Sequence, residues 1–288
     1  MSTELAVTIL VENTPVSGLE AEHGLSVHLR YRREGHVTNV LLDFGQSDAF
    51  ARNASTLGVN LDAVDVAVLS HAHYDHADGM PAFFGANDHA SLYLSEACAE
   101  RCWSTKAGAV APHYIGIARG LLARHADRMV RVASDHVTTI VPGVHLVPHT
   151  TPGLDLLGER AGMLLHDGDD WKPDDFSHEQ TLVLELEPSP SGAQRVAVFN
   201  SCSHAGLPAI ATEVANCFPQ AQIAAYVGGL HLVHASEDQI MQVASAIRTA
   251  GIEHLHTGHC TGERATTLLQ EALPGRVHAL YPGATLRL

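Results

Sequence analysis

An apolar run, VDVAVL at residues 64–69, ends directly on SHAHYDHADG, where three histidines and two aspartates fall within eight positions. A short run rich in β-branched residues reads as a buried strand, so its C-terminal tip carries the whole histidine cluster. On an extended strand end His71 and His73 flank Ala72 and point the same way, while Asp75 and His76 lie just past the turn and can face back. Imidazole and carboxylate suit borderline cations such as zinc, and a tetrahedral site with three protein ligands leaves a position open for water. One turn can thereby serve two ions, which at a spacing of ~3.5–4 Å clamp both the attacking and the leaving oxygen of a displacement.

The rest of the chain reads as strands and helices around such turns. LAVTILVEN, LSVHLRYRR and VTNVLLDFG form a strand meander, and residues 47–58 carry a helix signature that opens on Ser47 and closes on Gly58. Residues 95–103 are expected to be helical, which puts Cys98 and Cys102 one turn apart on a core face. Strands are expected at 128–132 and 138–147 around Pro142-Gly143, and residues 150–180, with HDGDDWKPDDFSHE, read as a long loop covering a site. TLVLELE and RVAVFN read as a hairpin. The last third alternates strand and helix, with Ser236 and Gln239 forming a capping box ahead of apolar Ile240, Val243, Ala244 and Ile247. A second strand-borne histidine turn, HLHTGHCTGE, follows.

Bulk properties narrow the partners. With 32 acidic against 17 basic residues the formal charge is −15, and no basic run tracks a phosphate backbone, so long nucleic acid is not the expected partner. A small-molecule substrate is, phosphorylated ones included, because bound divalent cations would add positive charge where it is needed. No apolar stretch is long enough for a membrane span and the N-terminus has no secretory signal, so the expected location is cytoplasmic. The five cysteines, Cys98, Cys102, Cys202, Cys217 and Cys260, make no CxxC pair and are expected to be reduced thiols. The oligomeric state is not legible.

HxHxDH after a hydrophobic strand resembles the signature of the metallo-β-lactamase superfamily, and VLLDFG resembles the strand and turn that precede it there. DDFSHEQTLVLE, VFNSCSHAG, VGGLHL and HTGHCTGE resemble the ordered motifs of a subgroup similar to the dihydropterin-ribofuranosylaminobenzene-phosphate synthases, so the resemblance covers nearly the whole chain. It implies an α/β fold, an αββα sandwich of two mixed sheets flanked by helices, as one domain over 1–288 with an active-site loop insertion at about 150–180. It also implies two divalent ions along one edge, commonly zinc and elsewhere iron or manganese. Carried over residue by residue, His71 and His73 bind the first ion, Asp75 and His76 the second, and His259 completes the second site. The third histidine of the first site is His204, which follows a strand whose tip should lie beside the first motif, with His149 in VPHTTPG as the rival. The chain departs from the pattern where many members place a bridging aspartate: it reads Asn200, Ser201, Cys202, Ser203, and Cys202 is either a thiolate ligand or a packing residue.

The resemblance implies a di-metal hydrolase in which a metal-bound hydroxide attacks a small phosphoester, cyclic phosphodiester or related ester. Asp75 orients that nucleophile, and His231 in GGLHL contacts substrate or protonates the leaving group. His178 is a second candidate substrate contact, and Glu179 supports a ligand from behind. Trp171 and Phe176 either stack on a ligand or pack locally, and Asp78 either bonds a ligand histidine or caps a helix. The aspartates at 167, 169, 170, 174 and 175 lack calcium-loop spacing and read as a solvated face. Two other readings stay open: an iron-dependent redox or oxygen-handling protein, and a metal-containing ligand-binding protein without turnover.

Overall fold

The computed structural model describes residues 3–105 and 111–288. Its first half runs β1 Glu4–Val11, β2 Ser26–Arg33, β3 His36–Leu42, α1 Ala49–Leu57, β4 Val66–Val68, α2 Tyr74–Ala77, α3 Met80–Ala86, β5 Ser91–Ser95, β6 Cys102–Ser104, β7 His113–Tyr114, α4 Leu121–Arg124 and β8 Met129–Val132. The second half runs β9 Thr138–Val141, β10 Val144–Pro148, α5 Leu154–Ala161, β11 Met163–Asp167, β12 Asp170–Pro173, β13 Gln180–Leu186, β14 Gln194–Phe199, α6 Leu207–Cys217, β15 Ala221–Val227, α7 Glu237–Thr249, β16 His254–Thr257, α8 Glu263–Ala272, β17 Val277–Ala279 and β18 Thr285–Arg287.

Two seven-stranded mixed sheets result, ordered β18-β1-β2-β3-β4-β5-β8 and β17-β16-β15-β14-β13-β10-β9. In each, an antiparallel meander continues into parallel strands at β3–β4 and at β14–β15. Strand periodicity explains the layering. Along β13, Leu182, Leu184 and Leu186 enter the core shared by both sheets, while the intervening Val183 joins the core under α6, α7 and α8. Phe50 of α1 and Phe83 of α3 cover the outer face of the first sheet through a third core. Both faces of each sheet are thus apolar, the pattern expected of strands sandwiched between helices and a second sheet.

The helix signals hold closely. Gly58 ends α1 at φ +74°, and Ser236 and Gln239 form both bonds of the capping box that opens α7. Two expectations are overturned. Residues 95–103 are not helical: Ser95 still pairs with Val132 in the sheet, the chain then turns, and Cys102 begins β6. Residues 150–180 are not one loop but α5 and the hairpin β11–β12, turned at Gly168 and joined to β6 and β7 in a four-stranded sheet. That hairpin takes its stability from non-local pairing with β6, which short, charge-rich strands do not advertise in sequence. Among the described residues no helix is long and apolar enough to cross a membrane.

Leu184 is fully buried between the sheets, whereas Leu156 on α5 is half exposed. Leu184→Ala is expected to cost about 2–5 kcal/mol in urea unfolding, and Leu156→Ala to stay within about 0.5 kcal/mol of the parent; equal costs would contradict this placement of the core.

Candidate metal centre

Three strand tips deliver the site: β4 leads to His71, β14 to Cys202 and His204, and β16 to His259. Gly228 and Gly229 let them converge, because a Cβ on Gly228 would sit 1.8 Å from the Asn200 carbonyl oxygen and one on Gly229 2.5 Å from Cys260 Sγ. Backbone strain collects here. Asp43, Phe176, Ser203, His231 and His259 all have φ between +50° and +59°, a region costing non-glycine residues ~1–3 kcal/mol each and found where function fixes a side chain.

The rings of His71, His73 and His204 meet with centroids 4.6, 4.8 and 5.0 Å apart. All three are buried, yet among the described residues His71 Nε2, His73 Nε2 and both ring nitrogens of His204 have no hydrogen-bond partner. An orphaned buried polar atom costs ~1–3 kcal/mol, so several aimed together call for a cation. Burial is the largest influence on each ring and holds it neutral, His73 at about 3 and the other two well below the ordinary value. Neutral imidazole is the form that ligates.

Beside them lies a second group. His76 Nε2 is 3.2 Å from His259 Nε2, and Asp75 Oδ2 is 3.5 and 3.3 Å from those two atoms. His76 Nδ1 donates to Asp43 Oδ2 at 2.8 Å and His259 Nδ1 donates to Asn13 Oδ1 at 2.9 Å. With neutral rings both Nε2 lone pairs would face each other, an arrangement only a positive charge stabilises. In the ion-free protein that charge is a proton: burial alone would depress His76, but Asp75 and Asp43 push it up to about 10. The same influences from His76 and its neighbours hold Asp75 well below the carboxylate range although burial opposes them. Cys202 stands between the two groups. Its Sγ is 3.2 Å from His76 Nε2, and its donor atom lies within 4.8 Å of those of His71 and His204 on one side and of His76 and His259 on the other.

The remaining candidates take other places. His149 turns away from both groups: its Nδ1 is 2.6 Å from Glu213 Oε2, and its Nε2 faces Asn200 and Thr181. Glu213, missed in the sequence because it sits inside the apolar face of α6, also accepts from the Thr150 and Thr151 amides. Glu179 accepts from the His204 and Ala205 amides at 2.9 Å, fixing the turn rather than the ring. His178, expected to touch substrate, is buried. The Ala72 amide donates to its Nδ1 at 3.2 Å, which places the ring proton on Nε2, where it is donated to Asp174 at 3.0 Å. That dyad braces the backbone between His71 and His73. Cys102 lies 3.6 Å from the same Nε2, so it is less isolated than its sequence context suggests, and Asp174 is buried rather than solvated. Phe176 packs against the His204 ring and Trp171 stacks on His166 in the small sheet; the Asp78 carboxylate accepts from the Ala118 amide, while the N-cap of α3 is Gly79 and Asp78 ends α2. His231 is exposed at the rim, its ring 4.6 Å from His204. A cleft of about 430 Å³ opens on the far side of His149, between Thr151 and Lys172, and no residue of the two groups lines it.

Fold and site together define a metal-binding αββα sandwich protein. The chain belongs to the metallo-β-lactamase superfamily, whose family model matches residues 33–181. It is 21% identical over 279 residues, 93% of this chain and 90% of the other, to 7,8-dihydropterin-6-methyl-4-(β-D-ribofuranosyl)-aminobenzene-5'-phosphate synthase of Methanocaldococcus jannaschii. A crystal structure described as a metal-dependent hydrolase of the β-lactamase superfamily superposes with TM-score 0.78 and 27% identity, covering 98% of both chains. Unliganded yeast PDE1 shares the fold at TM-score 0.58 and 10% identity over the full length of both.

The two pockets should differ in their proton balance. At neutral pH an ion entering among His71, His73 and His204 displaces no imidazole proton, whereas one entering beside His76 must displace the proton held up to about pH 10. Affinity of the second pocket should therefore rise with pH through the neutral range while the first stays flat. Zinc titration calorimetry in buffers of different ionisation enthalpy reads the released protons; none released at either step would contradict the assignment.

Proposed function

We propose that the protein is a hydrolase that works with two divalent cations, zinc by preference, on a small phosphoester, cyclic phosphodiester or related ester. The observation that carries the reading is the convergence of unpartnered, neutral imidazole nitrogens beside a second, carboxylate-containing group. His71, His73 and His204 would hold one ion, and Asp75, His76 and His259 the other. Cys202 lies where it can touch either. Burial pushes its thiol well up, so it would ligate only once a cation replaces the proton, and sulfur beside nitrogen favours zinc over harder ions. When bound, such a pair supplies Lewis acidity toward a phosphoryl or acyl oxygen and lowers the pKa of water toward ~7.

The chain's own residues do the rest. Asp75 offers a carboxylate at the pocket floor to orient a water for attack. His231, on the exposed rim and next to His204, is placed to hand a proton to the departing oxygen. Asp43, Glu179 and the His178–Asp174 dyad hold the ligand turns so that little reorganisation is needed on binding. The preference for a phosphorylated substrate is supported by the 5'-phosphate in the name of the Methanocaldococcus jannaschii relative; the choice of hydrolysis is supported by the 27% identical hydrolase.

Elemental analysis of untagged protein tests the centre. About two zinc or manganese ions per chain are expected, with one lost in His204→Ala and none in His149→Ala. Mainly iron would redirect the reading to oxygen chemistry, and no metal would favour a binding protein. Against a panel of aryl and alkyl phosphoesters, Asp75→Asn should lower turnover by at least ~10²-fold. His231→Ala should cost ~10²–10⁴-fold with alkoxide leaving groups and far less with p-nitrophenolate, which needs no proton; a loss independent of leaving group would remove His231 from the acid role.

A further inference from the structure

The connection between β1 and β2, residues 12–25, carries ENTPVSGLEAEHGL and was not expected to take part in the centre. It reaches the second pocket at three points. Glu12, buried at the end of the β1 segment, accepts from the His259 amide at 2.5 Å through Oε1, and its Oε2 accepts from the Thr14 amide. Asn13 Oδ1 accepts from the Gly24 amide at 3.2 Å and from His259 Nδ1 at 2.9 Å. Those two donors fix which end of the amide is oxygen, so the group facing His23 Nδ1 at 3.2 Å is the Asn13 NH₂. His23 Nδ1 must then be the acceptor and Nε2 the protonated nitrogen, and Nε2 lies 3.2 Å from Asp75 Oδ2. Gly24 makes the approach possible: it sits at φ +156°, and a Cβ there would fall 2.5 Å from the Asp75 carbonyl oxygen.

We propose that His23 and Asn13 form a positioning clamp that sets the affinity of the second pocket for its ion. The clamp rests on the two-cation reading above. One loop grips two ligands that lie 184 positions apart in the chain: Asn13 holds His259 in the tautomer that leaves Nε2 free, and through His23 the same amide holds Asp75 Oδ2, the oxygen that also faces His76 and His259. Nothing in the loop touches His71, His73 or His204 through a side-chain hydrogen bond among the described residues, so the first pocket is outside its reach. Hydrogen-bond partners behind metal ligands typically govern affinity by 10–100-fold. His23 itself is not a ligand in this arrangement, since its Nε2 proton occupies the direction a cation would need.

The test is competition of stepwise Zn²⁺ loading against a chromophoric chelator, in wild type, His23→Ala, Asn13→Ala and His23→Gln. The clamp predicts that the first two variants weaken the second ion by ~10–100-fold and leave the first within about twofold. Gln at 23 can still donate to Asp75, so His23→Gln should recover most of the loss. The unfolding midpoint of the ion-free His23→Ala protein should match wild type, because the His23 side chain is half exposed. Two ions bound in wild type with unchanged second-ion affinity in both alanine variants would overturn the clamp alone. Equal weakening of both ions would do the same, since it would mark a general structural effect. A wild-type protein that binds fewer than two ions would overturn the two-cation reading and the clamp with it.

Discussion

One buried carboxylate organises the centre. Asp43, at the tip of β3, accepts from the Ser70 amide and hydroxyl at 2.7 Å and from His76 Nδ1 at 2.8 Å. Because the Ser70 hydroxyl spends its hydrogen on Asp43, it must accept from His71 Nδ1, 2.7 Å away. A single carboxylate therefore sets the tautomer of one histidine in each group and turns both Nε2 atoms inward. The Asp43 backbone holds a left-handed conformation to do this, and its carbonyl is bonded by the Ser26 hydroxyl on β2. Sheet, turn and histidine geometry are coupled at one residue.

The second sheet repeats the strategy with different groups. Glu179 holds the His204 turn by its amides, Asn200 accepts from the Ser203 amide, and the two glycines after β15 remove the side chains that would keep Cys260 and the β14 tip apart. The sandwich core supplies the rigidity on which this depends, since strands buried on both faces cannot shift register without exposing a whole row of apolar side chains. Strained residues at the tips are the counterpart: their cost is tolerable because the core over-determines the backbone leading to them.

The electrostatic division between the pockets follows from the same scaffold. Among the described residues no carboxylate makes an ion pair with His71, His73 or His204, so burial dominates and the rings are held toward the neutral form. The group at His76 lies against Asp75 and Asp43, whose charge outweighs burial and pushes the imidazole up to about 10. Cys202 is buried between them, its sulfur within 4.8 Å of donor atoms of both groups.

What could be read from the sequence alone was local. The run at 64–69 and HAHYDH form one strand and one turn, so their spacing determines that His71, His73, Asp75 and His76 share a small volume, and helix caps at Gly58 and Ser236 act within one turn of the chain. What only the tertiary structure decided depends on contacts between distant segments. Each of His204 and His149 follows a strand, and the sequence prefers His204 without showing what holds His149 elsewhere; β14 lies farther from the sheet edge than β10, and Glu213 on α6 captures the His149 ring. Glu12, Asn13 and His23 carry no metal-binding spacing, because their partners are at 75 and 259. The β11–β12 hairpin turns on Gly168-Asp169, but its strands are stabilised by pairing with β6, a contribution no short-range pattern contains.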